Sequence, residues 1–227
     1  ATLDASERGL ASAAKDAGLV HSVWLLTQLP LAARSEEFAA RLQKLGLEIG
    51  TAPSVLEVAG ALAAGADEHL RRKGGRTDLG EMAQMAACEA LVALGTPATG
   101  SLFETTAPTA QEALKGLSTP KQFSTLAREF FSRLSRKYLS YFLSRELSNY
   151  VSGEGRFANV EAHAEFNQGL DLYCRQATRI VEEFSGGWFS KTNYEGGITP
   201  EKAARFVHVA LKKLRAELAR GEPGRGQ

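Results

Sequence analysis

Residues 199–220 read TPEKAARFVHVALKKLRAELAR, and this stretch decides the fold class. Thr199 can accept a free amide of the first turn, and Pro200 occupies the first helical position, where its missing N–H costs nothing. Phe206, Ala210, Leu211, Leu214 and Leu218 then recur at steps of three and four. That is the period of one helix face, and lysines and arginines fill the other.

The same grammar repeats along the chain. Ser54 with Glu57, Asp78 with Glu81, and Thr109 with Glu112 each fit a capping box, in which hydroxyl or carboxylate and acid satisfy each other's backbone amides. Phe166, Leu170, Tyr173, Ala177, Ile180 and Phe184 form a second apolar stripe. No segment alternates apolar and polar long enough for a sheet, and alanine is abundant. The spacing predicts helices near 5–17, 20–29, 35–45, 54–73, 78–95, 109–116, 119–151, 159–185 and 199–220. The expected fold is all-α: a multi-helix bundle with short N-terminal helices and three long C-terminal ones. Pro97, Gly100 and Pro108 disfavour helix and divide an N-terminal lobe, 1–96, from a C-terminal long-helix lobe, 109–220, unless the two form one continuous domain. Residues 221–227, rich in Gly and Pro, read as a flexible tail.

Composition is that of a globular chain: 227 residues, 44% hydrophobic and 23% charged. The net charge of +1 conceals an asymmetry: residues 1–120 carry 10 basic and 14 acidic side chains, residues 121–227 carry 17 and 12. The basic half offers phosphate contacts without demanding them. Two widely spaced cysteines do not make a disulfide framework. No apolar run reaches the length of a membrane span, and the chain opens at Ala1 without a basic-then-apolar leader. A cytoplasmic protein is expected. Its Ala-, Arg- and Gly-rich usage resembles that of GC-rich bacteria.

Four places carry chemistry-bearing residues. His163, Asn167, Asp171 and Cys174 follow at steps of four, four and three, so they share a helix face. These are metal-ligand and nucleophile types, but His163 and Cys174 lie about 16 Å apart along a helix and cannot touch. A metal would need Cys88 and His69 brought in from elsewhere. A helix–helix seam is the favoured reading, with no metal, cofactor or catalytic residue expected. The segment Ser185–Ile198 reads as a loop in which glycine pairs bracket Trp188, Phe189 and Tyr194. With Lys191 and Asn193 these aromatics form the expected partner-binding surface. Arg71, Arg72, Lys73 and Arg76 surround a Gly-Gly turn leading into a helix, an arrangement that can seat an anion. The long helix 119–151 is apolar around much of its circumference, with Ser132, Arg136, Ser140, Ser144 and Ser148 as a narrow polar strip. Such a helix is buried in a core or wedged between partners.

The leading expectation is therefore a non-catalytic helical subunit or adaptor that binds protein partners within a larger bacterial assembly. The second is a nucleic-acid binder, with Arg71, Arg72, Arg76, Arg133, Arg136, Lys137, Arg175 and Arg179 on the phosphates. The third is a metal- or thiol-dependent enzyme using His163, Asp171 and Cys174.

Overall fold

The computed structural model describes residues 13–73, 75–96, 109–148 and 160–220, except the side chains of 144–148 and 160–163. Among the described residues all regular structure is helical, as the apolar spacing requires. The elements are α1 (Ala17–Ala32), α2 (Phe38–Lys44), α3 (Val55–Lys73), α4 (Asp78–Gly95), α5 (Ala110–Gly116), α6 (Pro120–Ser148), α7 (Val160–Ala177), α8 (Arg179–Tyr194) and α9 (Pro200–Arg220). The expected helix 5–17 and the tail 221–227 fall mostly or wholly outside the described residues, as do the central residues of the expected lobe boundary.

Helix starts follow the capping grammar with one correction. Ser54 and Glu57 exchange backbone bonds of 2.6 and 3.2 Å, and Thr109 with Glu112 forms the full box. At α4 the cap is Thr77 rather than Asp78: its hydroxyl accepts from the Gly80 amide at 2.9 Å. Asp78 lies inside the first turn and accepts instead from the Tyr141 hydroxyl at 2.5 Å. The Thr77 hydroxyl also donates to Asp16 at 2.6 Å, while Asp16 caps α1 by accepting from the Leu19 amide at 2.8 Å. One carboxylate thus ties two helix starts together. Gly18 and Gly80 permit this, since a Cβ on Gly18 would stand 2.7 Å from the Gly80 Cα.

The C-terminal half differs from three long helices. The expected helix 159–185 is broken at Thr178, whose hydroxyl donates to the Cys174 carbonyl at 2.8 Å and to the Arg175 carbonyl at 3.2 Å. A hydroxyl bonding the carbonyls of the preceding turn slightly destabilises a helix and often bends it. Beyond the break, α8 runs on through Gly186 and Gly187 to Tyr194. The stretch expected as a loop is therefore helical over most of its length.

Helix α6 lies at the centre, packed mainly against α8 and α4, while α1 lies against α4, α3 and α9. Its Phe123, Phe130 and Phe131 are fully buried. The polar strip is not uniformly wet: Ser132 is buried, and off the strip the buried Ser135 donates back to the Phe131 carbonyl at 2.7 Å. The buried apolar residues form one cluster, with members from α1, α3 and α4 as well as α6, α8 and α9. The apolar transfer energy of such a core supplies most of the drive to fold. No helix among the described residues is long and apolar enough to cross a membrane.

Candidate functional site

The aromatic segment 185–194 serves the core first. Phe189 is 1% exposed and stacks on Phe123 with centroids 4.1 Å apart. Trp188 stacks on Phe206 at 4.1 Å. Both were expected on a partner-binding loop; both instead pin α8 to α6 and α9, because burying large rings outweighs displaying them. Gly186 supplies the fit. A Cβ there would lie 2.6 Å from Ser124 Oγ and 2.9 Å from the Pro120 carbonyl carbon, so only glycine lets α8 approach the start of α6. What remains outward is Lys191, Asn193 at the edge, and Tyr194, which is 92% exposed.

The cations expected to hold phosphates face carboxylates of the same chain. Arg71 and Arg72 both pair with Glu68, the latter at 2.9 Å. Arg76 meets Asp67 at 2.7 Å. Lys137 and Arg133 reach Glu89 at 2.6 and 3.4 Å, and Arg133 also holds Glu129 at 2.7 Å. Arg136 and Arg175 share Asp171 at 3.7 and 2.9 Å. Arg128 pairs with Glu182 at 2.6 Å. Arg179 is exposed. The pairs of Arg71, Arg72 and Arg175 with Glu68 and Asp171 lie within one helix, while packing brings acids of other helices against Arg128, Arg133, Arg136 and Lys137. At the start of α4 the Thr77 hydroxyl already takes the Gly80 amide.

The expected polar stripe of α7 is described only from Asn167 onward. The His163 side chain lies outside the described residues. Asp171 is committed to the two arginines, and Cys174 is 0% exposed, pointing into the core. Burial, then the Asp171 carboxylate, pushes the Cys174 thiol up to about 12. Cys88 is pushed up to about 11 by burial and by Glu89. Nucleophilic and ligating cysteines need the opposite shift. Among the described residues no three His, Cys, Asp or Glu side chains are placed to hold a metal ion.

Two features arise that local sequence does not signal. The first is a pair of exposed large apolar side chains on α3 and α4. Cys88 Sγ donates to the Ala59 carbonyl at 3.2 Å and Gln84 to the Ala63 carbonyl at 2.8 Å, which fixes the register of this antiparallel pair. Leu56 is 67% and Met85 48% exposed. The second is a groove of about 850 Å³ between α1, α3 and the connection preceding α3. Its wall carries His21 and His69, whose rings stack with centroids 3.7 Å apart and planes 4° from parallel. His21 lies near Trp24 in sequence and His69 near Arg71, and nothing in either neighbourhood points to the other. Their meeting is a product of the α1–α3 register alone.

No protein-family model, no curated protein and no solved structure matches the chain.

Proposed function

We propose that this chain is a non-catalytic helical subunit or adaptor, docking onto a protein partner in a larger cytoplasmic assembly. The observation that carries this reading is the outer side of α3 and α4, where two large apolar side chains, Leu56 and Met85, are 67% and 48% exposed. A large apolar side chain left out of the core loses transfer free energy that a partner's surface would recover, about 1.5–3 kcal/mol for full burial of each. The buried, raised thiols and the self-paired arginines weigh against the enzymatic and nucleic-acid readings respectively. Two unpaired cysteines suit a reducing compartment.

The test is size-exclusion chromatography with light scattering on protein purified from its host, wild type against a Leu56→Glu, Met85→Glu variant. The wild type is expected in a complex of defined mass. The variant should emerge alone with unchanged helix content and melting temperature. A wild type that is strictly monomeric, or a variant that keeps the complex, counts against the proposal.

A further inference from the structure

We propose that the groove beside His69 is a binding site for a flat, uncharged heteroaromatic ring bearing amino groups, of the kind found in nucleobases. The rings behind it form a ladder. Trp24 is anchored by donating its indole N–H to the Ile198 carbonyl at 3.0 Å, and it leans on His21 with centroids 5.5 Å apart. His21 in turn stacks on His69. Among the described residues His69 meets no further ring, and both His69 and His21 line the groove. A third flat ring continues the stack at the same spacing, the mode by which bases sit on aromatic side chains.

The groove is preformed on its other side. A Cβ on Gly65 of α3 would lie 2.7 Å from Leu47 Cδ2 and 3.2 Å from the Gly46 carbonyl oxygen, so the connection before α3 is seated hard against that helix. The volume falls in the range of small-molecule sites. Burial, and the Lys73 and Arg72 charges, lower the proton affinity of His69, and His21 is pushed down to about 4. The stacking face is therefore neutral at neutral pH.

The lining selects among ligand classes. Parallel imidazoles direct their lone pairs along parallel planes and do not converge on one metal ion. A free anion finds Arg71 and Arg72 already held by Glu68. Glu48 and Gln43 line the same groove, are exposed, and make no side-chain hydrogen bond among the described residues. A carboxylate and an amide at the rim suit ring amino groups, as acceptor and as acceptor or donor.

Adenosine is the probe, with saturation-transfer NMR and calorimetry as readouts on the full chain. Saturable binding with a dissociation constant on the order of 0.1–1 mM is expected for a ligand of this size. His69→Ala should weaken it about tenfold or more, while His69→Phe, which keeps a flat neutral face, should hold it within about threefold. Glu48→Ala, at an exposed position that cannot disturb the core, should weaken it about threefold or more. Adenosine 5′-monophosphate should bind no more tightly than adenosine. Absence of saturable binding at about 10 mM overturns the proposal. So does an undiminished affinity in Glu48→Ala, or in a His69→Ala protein that melts as the wild type does. Much tighter binding of the monophosphate, lost in Arg71→Ala, overturns it in favour of an anion site.

Discussion

Replacing Gly186 and Gly187 by alanine, one at a time, tests the packing of α8 directly. Both residues sit in the helix interior, so each substitution gains the same intrinsic helix propensity, about 1 kcal/mol. They differ in what a new methyl would meet. At Gly187 there is open space within 4 Å. At Gly186 the methyl would lie 2.6 Å from Ser124 Oγ, 2.9 Å from the Pro120 carbonyl carbon and closer still to its oxygen. The serine side chain can rotate away; the Pro120 backbone cannot, so α8 must back off from α6 and loosen the Phe123–Phe189 stack. Overpacking of this kind costs about 1–3 kcal/mol. Because the propensity gain is common to both, the difference between the two variants isolates that clash. Gly187→Ala should be more stable than wild type by up to about 1 kcal/mol, and Gly186→Ala less stable than Gly187→Ala by about 1–3 kcal/mol. For a chain of this size that separation is roughly 3–10 °C in melting temperature. Urea unfolding followed by far-ultraviolet circular dichroism, with equal m-values required, gives both numbers. If Gly186→Ala matches or exceeds Gly187→Ala in stability, residues 179–194 do not cross α6 as described and the pair behaves as a loop would.

The aromatics of α8 should divide in the same experiment. Phe189→Ala should cost about 3–5 kcal/mol, whereas Tyr194→Ala should stay within about 0.5 kcal/mol of wild type; comparable losses would contradict their opposite exposures. Acid should weaken the fold through His21, whose proton affinity is pushed from 6.5 down to about 4, first by burial and then by His69. The unfolded chain binds that proton at the ordinary value, so this contribution is complete above pH 6.5 and is lost as the pH falls toward 4. Allowing for partial exposure, the loss is about 1–2 kcal/mol, and His21→Phe should flatten it; an unchanged pH slope in that variant removes His21 as the cause. Both thiols should resist a disulfide reagent in the native protein and react at once in denaturant, since their proton affinities are raised to about 11 and about 12. A fast-reacting native thiol would revive the cysteine chemistry set aside above.

Much of the fold was legible because helix formation is governed by near neighbours. Ser54 with Glu57 and Thr109 with Glu112 form the boxes their spacing announces, and Phe206 through Leu218 bury the stripe that the three- and four-step pattern draws. The errors have local causes too. Thr77 and Asp78 are adjacent candidates for one cap, and Asp78 was diverted to Tyr141. Thr178 reads as one polar residue in a helix, yet its hydroxyl is well placed to take two carbonyls of the preceding turn. The glycine pair at 186–187 reads as part of a loop because glycine weakens a helix in isolation. Across the helix interface Gly186 does the reverse, since the start of α6 leaves no room for a side chain.

The amino-acid sequence by itself determined that this chain forms helices, where most of them start, and which face of each is apolar, because those properties depend on residues within two turns of one another. Only the tertiary structure decided how the faces are spent. It buried Phe189, stacked the half-buried Trp188 on Phe206, set carboxylates from neighbouring helices against Arg128, Arg133, Arg136 and Lys137, and brought His21 of α1 onto His69 of α3. Such meetings depend on the register between rods distant in sequence, and that register is fixed by the packing of the whole core rather than by any stretch of residues read alone.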